Sequence, residues 1–217
     1  MNTLDFSFFL LSLISLLIFY FGTGKDRRLI LPLSAWALAL GVLAYLRVFE
    51  HTTSTPPPML VLFIVILLVA YLLYRRIDIT RINPVVLISI HILRIPVELM
   101  LYELFEAGEI PELMTFAGWN YDIVVGATAL LLVLYWLLVR PPSTKLLQLW
   151  NVFGLIMLGI IVTLAILSAP LPLQQLAFDQ PNTAVLRFPF TLLPGIVVLL
   201  VFVAHLLELK RLSKERS

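Results

Sequence analysis

Cysteine is absent from the 217 residues, which excludes disulfides, thiolate metal ligands, iron–sulfur clusters and a cysteine nucleophile. Charge is scarce: Asp, Glu, Lys and Arg make up 13% of the chain, against about 25% in a soluble domain. The sequence has no GxSxG, no P-loop, no GxGxxG after a strand and no HExxH, so it carries no recognised nucleotide-binding or hydrolase motif. It also lacks a visible internal repeat, a glycine-zipper pattern and any low-complexity tract, which weakens the case for a repeat-built transporter.

What is present is apolar length. Hydrophobic residues make up 61% of the chain and the mean hydropathy is +1.02, so the expected fold class is all-α, a single polytopic membrane bundle over residues 1–217. Seven spans are predicted, at roughly 6–22, 29–46, 57–74, 84–106, 120–139, 146–167 and 190–209. The net charge of +2 and a pI near 9.0 do not point to nucleic acid, because the basic residues sit in short clusters between apolar spans. The partner these clusters imply is the lipid bilayer.

Of the 15 basic residues, twelve fall in alternate connections: Lys25, Arg27 and Arg28; Arg75, Arg76 and Arg81; Arg140 and Lys145; Lys210, Arg211, Lys214 and Arg216. The opposite side holds Arg47 and Arg187 with Glu109, Glu112 and Asp179. The positive-inside rule therefore predicts an external N-terminus and a cytoplasmic C-terminus. The first span reads as a retained anchor rather than a signal peptide, since Met1 to Asp5 has no basic residue and Lys25, Arg27 and Arg28 follow it. Proline marks the element starts: Pro56 to Pro58 before the third span, Asn83 as N-cap with Pro84 as first helical residue, and Pro141 and Pro142 ahead of Ser143.

The fourth span is anomalous because it carries His91, Arg94, Glu98, Glu103 and Glu106 within an apolar run. At roughly 100° per residue, His91, Arg94, Glu98 and Tyr102 share one face, leaving Leu93, Val97 and Met100 as a lipid-compatible back. An ionisable group at mid-bilayer costs on the order of 2.5 to 3.5 kcal/mol and normally turns inward to a partner or a wet cavity. Pro96, which lacks an N–H and crowds the carbonyl of Ile92, predicts a kink or a water-filled break beside Arg94. An Arg94–Glu98 ion pair at i, i+4 is the structural alternative to a functional stripe.

Depth along the spans suggests two further groupings. Glu98, Glu103, Asn120 and Asp122, with Arg187, form an expected outer polar group, while His91, Asn151 and His205 share an inner depth. Asp122 could alternatively serve only the free N–H groups at its helix start, and His205 could be an interfacial residue beside the basic end of the chain. Two external segments, 108–121 and 168–189, mix apolar, aromatic and proline residues. They are expected to fold over the mouth of the bundle, as a lid or as packing at the headgroup level.

The strings PELMTFAGWNYD, LWNVFGL, ILSAPLPL and PNTAVLRFPF, with the His205-Leu206-Leu207 end, resemble a group of small seven-span bacterial inner-membrane proteins over about residues 90 to 210. The resemblance implies a bacterial inner membrane and carries no activity over.

Three readings of function follow. The first is binding or transport of a small solute or proton through an externally capped polar cavity, with Arg94 as fixed charge, Glu98 as its titratable partner, His91 relaying protons, and Tyr102, Glu103, Asn120, Asp122, Asn151 and His205 completing the site. The second is a membrane-embedded enzyme or cofactor protein, with zinc on His91, Glu98, Asp122 and His205 or haem between His91 and His205; the cofactor is unknown. The third is a structural or assembly partner in which the stripe only holds helices together. A retinal protein is excluded, because the seventh span has no mid-membrane lysine; Lys210 stands at its end.

Overall fold

The computed structural model describes residues 3 to 214, so Met1, Asn2 and Arg216, which entered the topology argument above, lie outside the described part. Every regular element among the described residues is helical. The helices are α1 (Thr3–Gly22), α2 (Arg27–Tyr45), α3 (Pro58–Arg76), α4 (Pro84–Ser89), α5 (Arg94–Glu106), α6 (Asp122–Leu138), α7 (Thr144–Ser168) and α8 (Leu199–Lys214). A 3₁₀ turn, Ile90–Leu93, joins α4 to α5 into one span, and a π turn, Leu193–Val198, leads into α8. Six spans are long and apolar enough to cross a membrane, and α6, with 17 residues, is a shorter apolar seventh. This is a helical membrane bundle, with element ends within a few residues of those predicted.

The starts are locally encoded. Asp26 accepts from the Arg28 N–H at 2.9 Å, Asn83 from the Val86 N–H at 3.3 Å and Ser143 from the Leu146 N–H at 3.3 Å, each covering a donor that the first helical turn leaves open. Pro58 and Pro84 occupy first-turn positions where a missing N–H costs nothing.

Two spans form the centre. The last, Leu193–Lys214, is the most enclosed and packs against α1, α3, α7 and the fourth span; the fourth, Pro84–Glu106, packs against α1, α6 and α8. In lipid, helices associate through close packing rather than apolar burial, and small residues permit it. A Cβ on Gly22 would stand 3.1 Å from the Leu87 Cα, and one on Gly126 would stand 2.9 Å from Ile95 Cγ1, so α1 and α6 both approach the fourth span closely. α2 stays peripheral, tied to the centre where the Trp36 Nε1 donates to the Gly195 carbonyl of the π turn at 2.8 Å.

This enclosure corrects the expected lipid-compatible back of the fourth span. Val97 and Met100 are buried and Leu93 is half-buried; the exposed residues of α5 are Leu99, Glu103 and Glu106. A single polar face implies one open side opposite it, whereas α1, α6 and α8 pack around most of the helix.

The faces of the bundle differ. On one, the α1 end meets the start of the fourth span through Asn83 N–H to the Gly22 carbonyl, and the α8 end meets α3 through Lys210 Nζ to the Tyr74 carbonyl, both at 2.9 Å. Basic residues from separate connections are thereby gathered on one side. On the other face, the two long segments are pinned together. Thr183 and Ala184 donate to the Glu109 carbonyl at 3.0 and 3.2 Å, Gln180 Nε2 reaches the Ile110 carbonyl at 2.6 Å, and Arg187 pairs with Glu109. Arg47 donates to Glu50 nearby and, through that hydrogen bond, holds its carboxyl below the usual carboxylate range.

Candidate functional site

Pro96 shapes the middle of the fourth span. Since it cannot donate to the Ile92 carbonyl, the helix tightens, and the Arg94 N–H bonds to the His91 carbonyl three residues back. In a 3₁₀ turn, positions i and i+3 eclipse. His91 and Arg94 are therefore brought over one another, on the side that faces α8.

From there a polar network runs through five elements. Arg94 Nη1 makes a buried ion pair with Asp122, the first residue of α6, and Arg94 Nη2 lies 3.0 Å from His205 Nε2 on α8. Arginine can only donate, so Nε2 must accept and the His205 proton sits on Nδ1. That Nδ1–H donates to Asn151 Oδ1 of α7 at 2.8 Å, and Asn151 Nδ2 donates to the Leu147 carbonyl at 2.8 Å. On the other side, Asn120 Nδ2 donates to Glu98 Oε1 at 2.6 Å and to the Met114 carbonyl at 3.0 Å, while its Oδ1 accepts the Asp122 N–H at 3.1 Å. Asn120, one residue ahead of the cap position Tyr121, thus covers the first N–H of α6, and the Asp122 carboxylate is left for Arg94.

His91 is attached without hydrogen bonds. Its ring stacks on His205, with centroids 3.9 Å apart and planes at 27°, and meets Trp150 edge-on at 5.2 Å. Both His91 nitrogens, the Glu98 Oε2 and the Arg94 Nε are buried with no hydrogen-bond partner.

The structure therefore assembles His91, Arg94, Glu98, Asn120, Asp122, Asn151 and His205, and it leaves two expected members apart. Tyr102 is half-buried and stacks on Phe116 of the covering segment, with centroids 5.0 Å apart, and Glu103 is exposed. The 3₁₀ turn rotates the lower part of the span relative to α5, so the straight stripe extrapolated from His91 does not reach Tyr102. Arg94 is paired with Asp122 and not with Glu98, which bonds Asn120. Arg187 pairs with Glu109 on the covered face rather than joining the outer group. His205 is fully buried rather than interfacial.

The metal and haem arrangements do not form. Stacked imidazoles present faces to each other, whereas axial haem ligation requires nitrogens that point at one iron from opposite sides. Among the described residues no three His, Asp or Glu side chains are placed to share a metal ion, and Arg94 is wedged between Asp122 and His205.

Some supporting residues are not evident from residue chemistry alone. A Cβ on Gly154 would run into the His205 ring, and the Gly154 carbonyl lies 3.5 Å from Arg94 Nη1, so glycine makes the room that His205 occupies. Trp150 walls off His91 and is held by Nε1 donating to Thr128 Oγ1 at 3.0 Å. Glu208 is fully buried beside Arg211, which donates to it at 2.6 Å. Glycines interrupting apolar spans were the available signal for the first of these. Neither a scan against protein-family models nor searches of curated proteins and of solved structures finds a match for this chain.

Proposed function

We propose that this multi-pass membrane protein takes up and passes protons through its core, with Glu98 at the outer end and His91 at the inner end of the network. The reading rests on one observation: Glu98 Oε2 and the His91 ring, whose two nitrogens offer one donor and one acceptor, are buried in the network with no hydrogen-bond partner. They stand seven residues apart on one span, about 10 Å in depth. Arg94, held by Asp122 and His205, is the fixed charge between them. His91, Arg94, Glu98, Asp122 and His205 are all buried, so a proton fits this reading better than a larger solute. The basic face and the resemblance noted above support a bacterial inner membrane, with the N-terminus outside and the C-terminus in the cytoplasm.

Purified protein in liposomes loaded with a pH-sensitive dye tests this. After an external acid pulse, the lumen should acidify faster than in protein-free liposomes, and Glu98→Gln and His91→Phe should each remove the difference. Equal rates with and without protein, or unchanged rates in both variants, would refute the reading.

A second reading has its own observation. The network bonds the fourth span, α6, α7 and α8 to one another, which is what a purely structural polar clamp would do. Under that reading, replacing His91 with Phe leaves every property of the folded protein intact.

A further inference from the structure

The junction between α6 and α7 carries a site that the polar network does not use. A groove of about 750 Å³ opens there, walled by Leu131, Leu132 and Leu146, ending inward at Trp150 and rimmed by Tyr135, Arg140 and Ser143. Among the described residues its lining contains no carboxylate. The rim is made of donors already set in place. Arg140 Nε donates to the Tyr135 hydroxyl at 3.1 Å and the Arg140 N–H to the Tyr135 carbonyl at 3.2 Å, which fixes the guanidinium and leaves both Nη groups uncommitted. The Tyr135 and Ser143 oxygens both accept, from Arg140 and from the Leu146 N–H, so each keeps its own hydroxyl hydrogen to give. The rim therefore suits an anion.

The surroundings say where that anion comes from. Leu137, Leu138 and Val139, which precede Arg140, are 66%, 79% and 66% exposed, and Leu131 and Leu149 are also exposed. In a bundle of this kind such residues face hydrocarbon, so the groove is reached from the bilayer. An arginine beside an apolar surface settles at the level of lipid headgroups, where phosphate is the available counter-charge. From Ser143 to Trp150 the wall of α7 descends seven residues, about 10 Å, enough for a glycerol backbone and the upper part of an acyl chain.

We propose that this groove seats one anionic phospholipid, its phosphate on Arg140, Tyr135 and Ser143 and one acyl chain along Leu131, Leu132 and Leu146 towards Trp150. The site combines charge and hydrocarbon recognition, so it selects an anionic over a zwitterionic lipid and a lipid over a free anion.

Native mass spectrometry of delipidated protein, titrated in detergent, tests both halves. The probes are phosphatidylglycerol, phosphatidylcholine with the same chains, and inorganic phosphate. One phosphatidylglycerol should be retained about tenfold more tightly than phosphatidylcholine, and inorganic phosphate should neither bind nor compete. Arg140→Gln should erase the preference. Leu131→Trp, which fills the groove without altering charge at an exposed position, should lower retention of both lipids. Equal retention of the two lipids, competition by phosphate alone, or an Arg140→Gln protein that still prefers phosphatidylglycerol would overturn the proposal. Unchanged thermal unfolding of both variants shows that any loss comes from the groove.

Discussion

Arg94–Asp122 in the core and Arg187–Glu109 on the covered face pair the same chemical groups in different surroundings. The side chains of the first pair are 4% and 7% exposed, those of the second 42% and 28%. Water replaces a lost partner for Arg187 and cannot do so for Arg94, which is buried. The value of an ion pair here depends on what each charge would meet alone. The Arg94 pair is consequently a condition for folding the centre, while the Arg187 pair trims the fit of two surface segments.

The sharpest way to break that comparison is to remove one core charge. Arg94→Ala should cost about 3–5 kcal/mol, because Asp122 is left buried and unpaired. Denaturant unfolding in detergent should also show Arg94→Ala with Asp122→Ala to be less harmful than the sum of the single changes; additive losses would mean the pair is not the unit. Next comes the space the pair's neighbours occupy. Gly154→Ala should cost about 1–3 kcal/mol, because the new methyl meets the His205 ring, whereas Gly159→Ala on the same helix, with nothing within 4 Å, should be neutral or stabilising by up to about 1 kcal/mol. The smallest effect belongs to the covered face. Arg187→Ala should cost less than about 1 kcal/mol, and the loss should shrink further at high salt. A salt-insensitive loss as large as that of Arg94→Ala would erase the distinction.

The bundle itself was legible in the sequence, because spans declare themselves by apolar length and their starts by Asn83, Pro84 and Ser143. Much of the candidate network was legible for a related reason: a polar group in a span is costly, so His91, Arg94, Asn151 and His205 stood out. Their pairing was not legible. Which carboxylate Arg94 meets depends on helix order around the bundle, and Asp122 is reached because Gly126 lets α6 lie close against Ile95. Pro96 announced a disturbance, but its form, a tightened turn that eclipses His91 and Arg94 and carries Tyr102 away, follows from how the neighbours accept the rotated side chains. The role of Trp150 was hidden for the opposite reason, since a tryptophan in an apolar span carries no cost that marks it.

The central position of Leu193–Lys214 also sets an order of assembly. A ribosome makes this span after the other six, yet it supplies the His205 ring that Arg94, Asn151 and His91 all contact. Until it arrives, Arg94 lacks its His205 contact and has only Asp122 and the Gly154 carbonyl beside it. The pinning of the two covering segments waits as well, because Gln180, Thr183 and Arg187 reach Glu109 and Ile110 only once the chain has run back along α7. The last helix thus acts as a keystone, and insertion of the six earlier spans precedes the closing of the core.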